Sequence, residues 1–256
     1  MLRKTWFLAL LGGALGGAVG HAFAQPVQGL YVSGNIGVNF LQDETIAPSP
    51  ALGTGSSMAA FDPGYVAVAS LGYGLGALNP FLNGWRVEIE GNFGANGFQN
   101  VFTGPGFAGA VHGSQDNYGV LANVIYDITP SALGINEHFV YPYLGFGLGY
   151  EMNSFNGFRI DYLTAPLTAS GGSNAVGNFA YQGIVGFSFP IAFAPGLSAT
   201  VEYRMLGVAD PQGAHHLSFD QSGERIASGN GVFGNEFNHE ILFGLRYAFG
   251  QSNILP

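Results

Sequence analysis

From about residue 28 onward, apolar and polar positions alternate with a period of two, as they do in strands that have one face in an apolar setting and the other in a polar one. Eight segments carry this pattern: Gln28–Leu41, Gly64–Leu75, Trp85–Phe93, Asn117–Ile128, Phe139–Met152, Asn178–Phe189, Leu197–Val208 and Phe237–Phe249. The third is the sharpest. Trp85, Val87, Ile89, Gly91 and Phe93 alternate strictly with Arg86, Glu88, Glu90 and Asn92. A strand buried on both faces would read as a continuous apolar run, so this one separates two environments. In the fifth, Leu144, Phe146, Leu148 and Tyr150 oppose Gly145, Gly147, Gly149 and Glu151. In the last, Ile241, Phe243, Leu245, Tyr247 and Phe249 oppose Asn238, Glu240, Gly244 and Arg246. Helical periodicity is hard to find anywhere in these stretches.

The connections alternate in length. Long gaps rich in Gly, Ser, Asn, Pro and Asp follow every odd-numbered segment: Gln42–Pro63, Gly94–Asp116, Asn153–Gly177 and Ala209–Glu236. Short ones, Gly76–Gly84, Thr129–His138 and Pro190–Gly196, follow the others. A soluble Greek-key sandwich has no reason to sort its loops by length, whereas a transmembrane barrel has long loops at one end and short turns at the other. The long gaps are expected to be loops.

Aromatic residues recur eight positions apart on the apolar faces: Tyr65 and Tyr73, Trp85 and Phe93, Tyr118 and Tyr126, Phe179 and Phe187. Eight residues at ~3.4 Å each, tilted by ~40°, climb roughly 21 Å, close to the ~25 Å apolar band that is edged by aromatic girdles in such barrels.

The N-terminus supplies a compartment. Arg3 and Lys4 precede an apolar run from Trp6 to Val19, and Ala22 and Ala24 form a small-x-small site. Residues 1–24 therefore read as a cleaved signal peptide and residues 25–256 as one barrel domain. No later apolar run is long enough for a transmembrane helix, which needs about 20 residues. A membrane protein of this sequence must then be a closed barrel, the other structure that satisfies all its backbone groups in lipid.

Composition narrows the choice further. Charged residues make up 9% of the chain and hydrophobic ones 47%, against about 25% charged in soluble domains. Without residues 1–24, five basic residues remain, all arginine, against sixteen acidic ones. Nucleic acid is thereby excluded as an expected partner. There is no cysteine, so disulfides and thiol chemistry do not arise.

With these features together, the chain resembles the small OmpA-like, opacity-type outer-membrane β-barrels of Gram-negative bacteria. The resemblance is carried by Gly29–Gly37, the charged strand Trp85–Phe93, Tyr141–Gly149 and the closing Leu245–Phe249. It implies an all-β, eight-stranded, antiparallel up-and-down barrel in the bacterial outer membrane, assembled by the barrel-assembly machinery. Its neighbours would be outer-membrane lipid and lipopolysaccharide, and it would be a monomer whose long loops could take an extracellular ligand. The peptidoglycan-binding domain that often follows such a barrel is not expected here.

The polar faces collect one candidate site: Arg86, Glu88, Glu90, Glu151, Glu202, Arg204, Glu240 and Arg246. An eight-stranded barrel is just wide enough for its side chains to fill, and buried charges are tolerable when paired. The expected interior is a plug of Arg/Glu pairs, with Glu240 serving Arg204 or Arg246. The alternative is a narrow, weakly cation-selective porin or channel lined by the same residues. The histidines His112, His138, His215, His216 and His239 show no spacing that joins a serine and a carboxylate into a hydrolytic triad, so no enzymatic activity is expected. Neither a metal nor a cofactor is expected: His215, His216, Asp210 and Asp220 lack a recognised ligand spacing.

Overall fold

The structure, a computed structural model, describes residues 26–46, 57–103, 109–134, 140–162, 167–171, 176–209, 215–221, 224–231 and 235–249. The segment read as a signal peptide lies outside them, as does His138. Thirteen strands form one antiparallel sheet. They are β1 (Gly29–Leu41), β2 (Glu44–Ile46), β3 (Ser57–Phe61), β4 (Gly64–Gly74), β5 (Trp85–Thr103), β6 (Gly109–Asp127), β7 (Tyr141–Tyr162), β8 (Leu167–Gly171), β9 (Val176–Pro190), β10 (Leu197–Val208), β11 (His215–Gln221), β12 (Glu224–Gly231) and β13 (Glu236–Ala248).

Eight of these strands, β1, β4, β5, β6, β7, β9, β10 and β13, close a barrel in which each pairs with its neighbours in chain order. Closure is by β1 against β13, from Tyr31 opposite Ala248 to Leu41 opposite Asn238. These are the eight segments marked by the alternation. The period of two puts Ile36, Ile89, Val120 and Phe243 outside, where they are exposed, and Asn35, Glu90, Leu121 and Leu242 inside, where they are buried. A surface of exposed Leu, Val, Ile and Phe encircling a polar interior is the inverse of a soluble protein. Among the described residues, no helix is long and apolar enough to cross a membrane.

The long connections depart from expectation. Their described residues are largely extended sheet rather than loop: β5 continues to Thr103, β6 starts at Gly109 and β7 runs to Tyr162. The short strands β3 and β2 add to the upper part of β5, and β8, β11 and β12 add to the upper part of β7. The barrel wall therefore rises well beyond the barrel on one side. The Gly-, Asn- and Ser-rich composition lowers intrinsic strand preference there. The hairpins nevertheless extend ladders already running in the barrel, so each added residue gains a paired N–H and C=O without a new nucleation step. Where β6 and β7 bend apart at a bulge between His112 and Ser114, Gly113 takes φ +110°, and a Cβ there would stand 2.7 Å from the Asn156 carbonyl oxygen.

At the opposite end the connections are tight. Leu75–Ala77 and Pro80–Leu82 form two short 3₁₀ turns, and Asn79 accepts a hydrogen bond from the Phe81 N–H at 3.0 Å. Pro130–Leu133 forms a third.

Candidate functional site

The side chains that face the lumen change in kind along the barrel axis. At the short-turn end, the Arg86 guanidinium donates to Asp127 at 3.1 Å and to the Tyr31 hydroxyl at 3.0 Å, and it lies 3.5 Å from Glu88. Tyr31 in turn donates to Glu88 at 2.9 Å. Asp127 also receives the Val27 backbone N–H at 3.2 Å, which ties the N-terminal end of β1 to β6. The guanidinium lies over the Tyr143 ring, 4.8 Å from its centroid. The Tyr31 ring lies over β4 toward β5 because β4 carries glycine beside it: a Cβ at Gly72 would stand 2.1 Å from the Tyr31 Cζ, and one at Gly186 2.4 Å from the Tyr143 Cζ.

One step further in, Arg204 is held between two carboxylates. Its Nη1 reaches both oxygens of Glu90 at 2.9 Å, while Nε and Nη2 reach Glu202 at 2.8 and 2.7 Å. Glu90 also accepts from Gln182 at 2.7 Å and Asn123 at 2.6 Å, and Glu202 accepts from the Tyr143 hydroxyl at 2.6 Å. Charge-assisted bonds of this kind are about twice as strong as neutral ones. Through these contacts the two arginine clusters join into one network that spans β1, β5, β6, β7, β9 and β10.

Above it the chemistry changes. Glu236 is fully buried and contacts no arginine; it is surrounded by primary amides. Asn117 and Asn238 donate to one oxygen at 2.6 and 2.7 Å, Gln115 donates to the other at 2.9 Å, and Asn153 also donates to it. Asn39 extends the layer by donating to Asn238 at 2.7 Å and Asn96 at 2.8 Å. Glu151, held by Asn92 at 3.1 Å, and Glu240 occupy the space between the arginine network and this amide layer. Two residues beyond Asn96 on β5 and Asn153 on β7, Phe98 and Phe155 pack together at 5.3 Å, joined by Phe158 and Phe61. An aromatic layer thus covers the amide layer.

The comparisons with known proteins match this picture. No family model matches the chain. A protein of Gluconacetobacter diazotrophicus described as "Outer membrane protein" is 34% identical over 237 residues, covering 90% of this chain. The chain spans 60% of that relative's length. The protein is an outer-membrane β-barrel. The crystal structure of the outer membrane protein OprG from Pseudomonas aeruginosa aligns with this barrel over 87% of the chain and 98% of OprG, with a TM-score of 0.52 at 11% identity. That likeness concerns the fold alone.

In this outer-membrane barrel all eight charged residues singled out from the sequence are buried on the lumen side. Arg86 and Arg204 pair with glutamates, whereas Glu240 and Arg246 do not pair as expected. Glu240 stands opposite Arg204 in the β10–β13 register, yet it makes no ion pair among the described residues, because Arg204 reaches across the lumen to Glu90 and along its own strand to Glu202. Arg246 donates to the Ser188 hydroxyl at 2.8 Å rather than to a carboxylate. Two buried carboxylates were not among the eight. Asp127 shares the lumen parity of Asn117 and Asn123, and Glu236 falls at the end of a gap read as loop. Their parity with neighbouring lumen residues was the available signal. The amides carried none, because an asparagine reads alike in a loop and in a lumen.

The aromatic residues stand in two tiers. Tyr65 packs on Phe93 at 6.0 Å, with Tyr118 beside Phe93 in register. Trp85 packs on Tyr126 at 4.9 Å at the short-turn end. Phe179 and Phe187 are exposed on β9, and Tyr73 and Tyr126 are half-buried. Of the histidines, His112 is exposed 3.9 Å from Asp161, and His239 contacts Tyr203 and Gln42 on the outer surface at 2.7 and 2.8 Å. Among the described residues, no group of three or more His, Cys, Asp or Glu could hold a metal ion.

Proposed function

We propose that this outer-membrane barrel has a structural or surface-interaction role and that its lumen is sealed rather than conducting. The observation that carries this reading is the succession of bonded layers along the lumen: arginine network, amide cage and aromatic layer. A conducting eight-stranded barrel would need a file of water where Arg204, Glu90, Glu202 and Tyr143 bond to one another. The sheet that rises beyond the barrel on one side supports the surface role, because it holds the connecting segments on a rigid wall. Membership of the OmpA-like, opacity-type group is part of this proposal. So are cleavage of residues 1–24 as a signal peptide, handling by the barrel-assembly machinery, contact with lipopolysaccharide and a monomeric state. No catalytic role is assigned.

One observation favours a second reading, a small weakly cation-selective porin. Seven buried carboxylates (Glu88, Glu90, Asp127, Glu151, Glu202, Glu236 and Glu240) face three arginines in the lumen. That excess would attract cations if the network opened. Swelling of proteoliposomes in a small neutral sugar separates the two readings. A sealed lumen gives the rate of protein-free vesicles, whereas swelling well above that rate supports the porin.

A further inference from the structure

The three short turns, at the end that faces the periplasm in outer-membrane barrels, carry apolar side chains where such turns would meet water. Phe81 is 95% exposed, Phe193 88% and Leu78 70%, with Leu133 exposed on the third turn. Neither Leu75–Gly84 nor Pro190–Gly196 contains a single charged residue. Asn79 caps the turn that presents Phe81, so the exposed ring stands on ordered backbone.

These tips continue the lipid-facing wall. The first turn leads directly into Trp85, whose ring stacks on Tyr126, and the turn bearing Phe193 follows the outward-facing Phe187 and Phe189. At ~3.4 Å per residue and a tilt of ~40°, the eight residues between the two aromatic tiers span roughly 21 Å, a few ångströms short of the ~25 Å apolar band. A barrel shorter than its bilayer must thin the membrane or extend its own apolar surface.

We propose that the turns bearing Phe81 and Phe193 are immersed in the inner leaflet of the outer membrane, at the boundary between phospholipid headgroups and acyl chains, and lengthen the lipid-facing belt below the lower aromatic tier. The occupant of this surface is phospholipid. Exposed aromatic residues on uncharged, Pro-containing turns suit that boundary. The inference does not depend on whether the lumen conducts.

The absence of cysteine from the chain permits a direct test. Phe81→Cys, Phe193→Cys and, as a second site on the first turn, Leu78→Cys are each spin-labelled in protein purified from outer membranes and reconstituted in phosphatidylethanolamine/phosphatidylglycerol vesicles. Label depth is then read from relative accessibility to oxygen and to a water-soluble nickel complex. Phe187→Cys serves as the lipid reference and Asp43→Cys as the water reference. The expected result is an oxygen-to-nickel ratio at 81 and 193 on the lipid side of the midpoint between the references, with position 78 agreeing with 81. A ratio matching Asp43→Cys at either 81 or 193 overturns the proposal and leaves these turns in periplasmic water, open to a protein partner.

Discussion

The two halves of the lumen bury carboxylates in different ways. Toward the short turns, Glu88, Glu90, Glu202 and Asp127 are neutralised by the guanidiniums of Arg86 and Arg204. Toward the extended hairpins, Glu236 is stabilised by the dipoles of four amides, with no guanidinium in contact among the described residues. The difference lies in how the stabilisation is distributed. An ion pair concentrates it in one partner, so removing that partner leaves an uncompensated buried charge. An amide cage divides it, and removing one donor leaves the others in place.

The largest loss is expected for Arg204→Met. It strands Glu90 and Glu202 together, and a loss of about 3–5 kcal/mol is expected for breaking a buried pair. The measurement is the urea midpoint of the folded barrel in lipid, with Arg204→Met/Glu90→Gln recovering part of the loss. An outer-wall control comes next. Ile89→Arg places a charge on the lipid face opposite Leu71 and Ala122 and should cost about 2–4 kcal/mol near the midplane. The smallest effect is expected in the cage. Asn117→Ala removes one of four donors to Glu236 and should cost about 1.5–3 kcal/mol, the value of one hydrogen bond to a charged group. Equal costs for Arg204→Met and Asn117→Ala would erase the distinction between the two halves.

How much of this was legible in the sequence follows the same division. Charges mark the lower half: Arg86, Glu88 and Glu90 alternate with Val87, Ile89 and Gly91, the spacing of a strand between an apolar and a polar environment. The upper half is written in asparagine, glutamine and glycine. Gly94-Ala95-Asn96-Gly97 reads as a loop, although Asn96 faces the lumen and donates to backbone carbonyls of Asn39 and Asp62 at 3.1 Å. The aromatic layer was lost for the same reason, since Phe98 follows that stretch. Pairing within the lumen was not legible either. Sequence gives the face on which Arg204 lies. Which carboxylate it meets depends on strand tilt, on stagger and on reach across the barrel, and here the partner lies on β5 rather than on the adjacent β13.

Closure of the lumen by side chains is decided by single-channel recording of the wild-type protein in a planar bilayer. Samples are first shown to be folded by their heat-sensitive gel mobility. The sealed stack predicts silence from the folded protein across the voltage range at which the bilayer is stable. Steady, cation-selective openings would contradict it and turn Arg204, Glu90 and Glu202 from a plug into a pore lining.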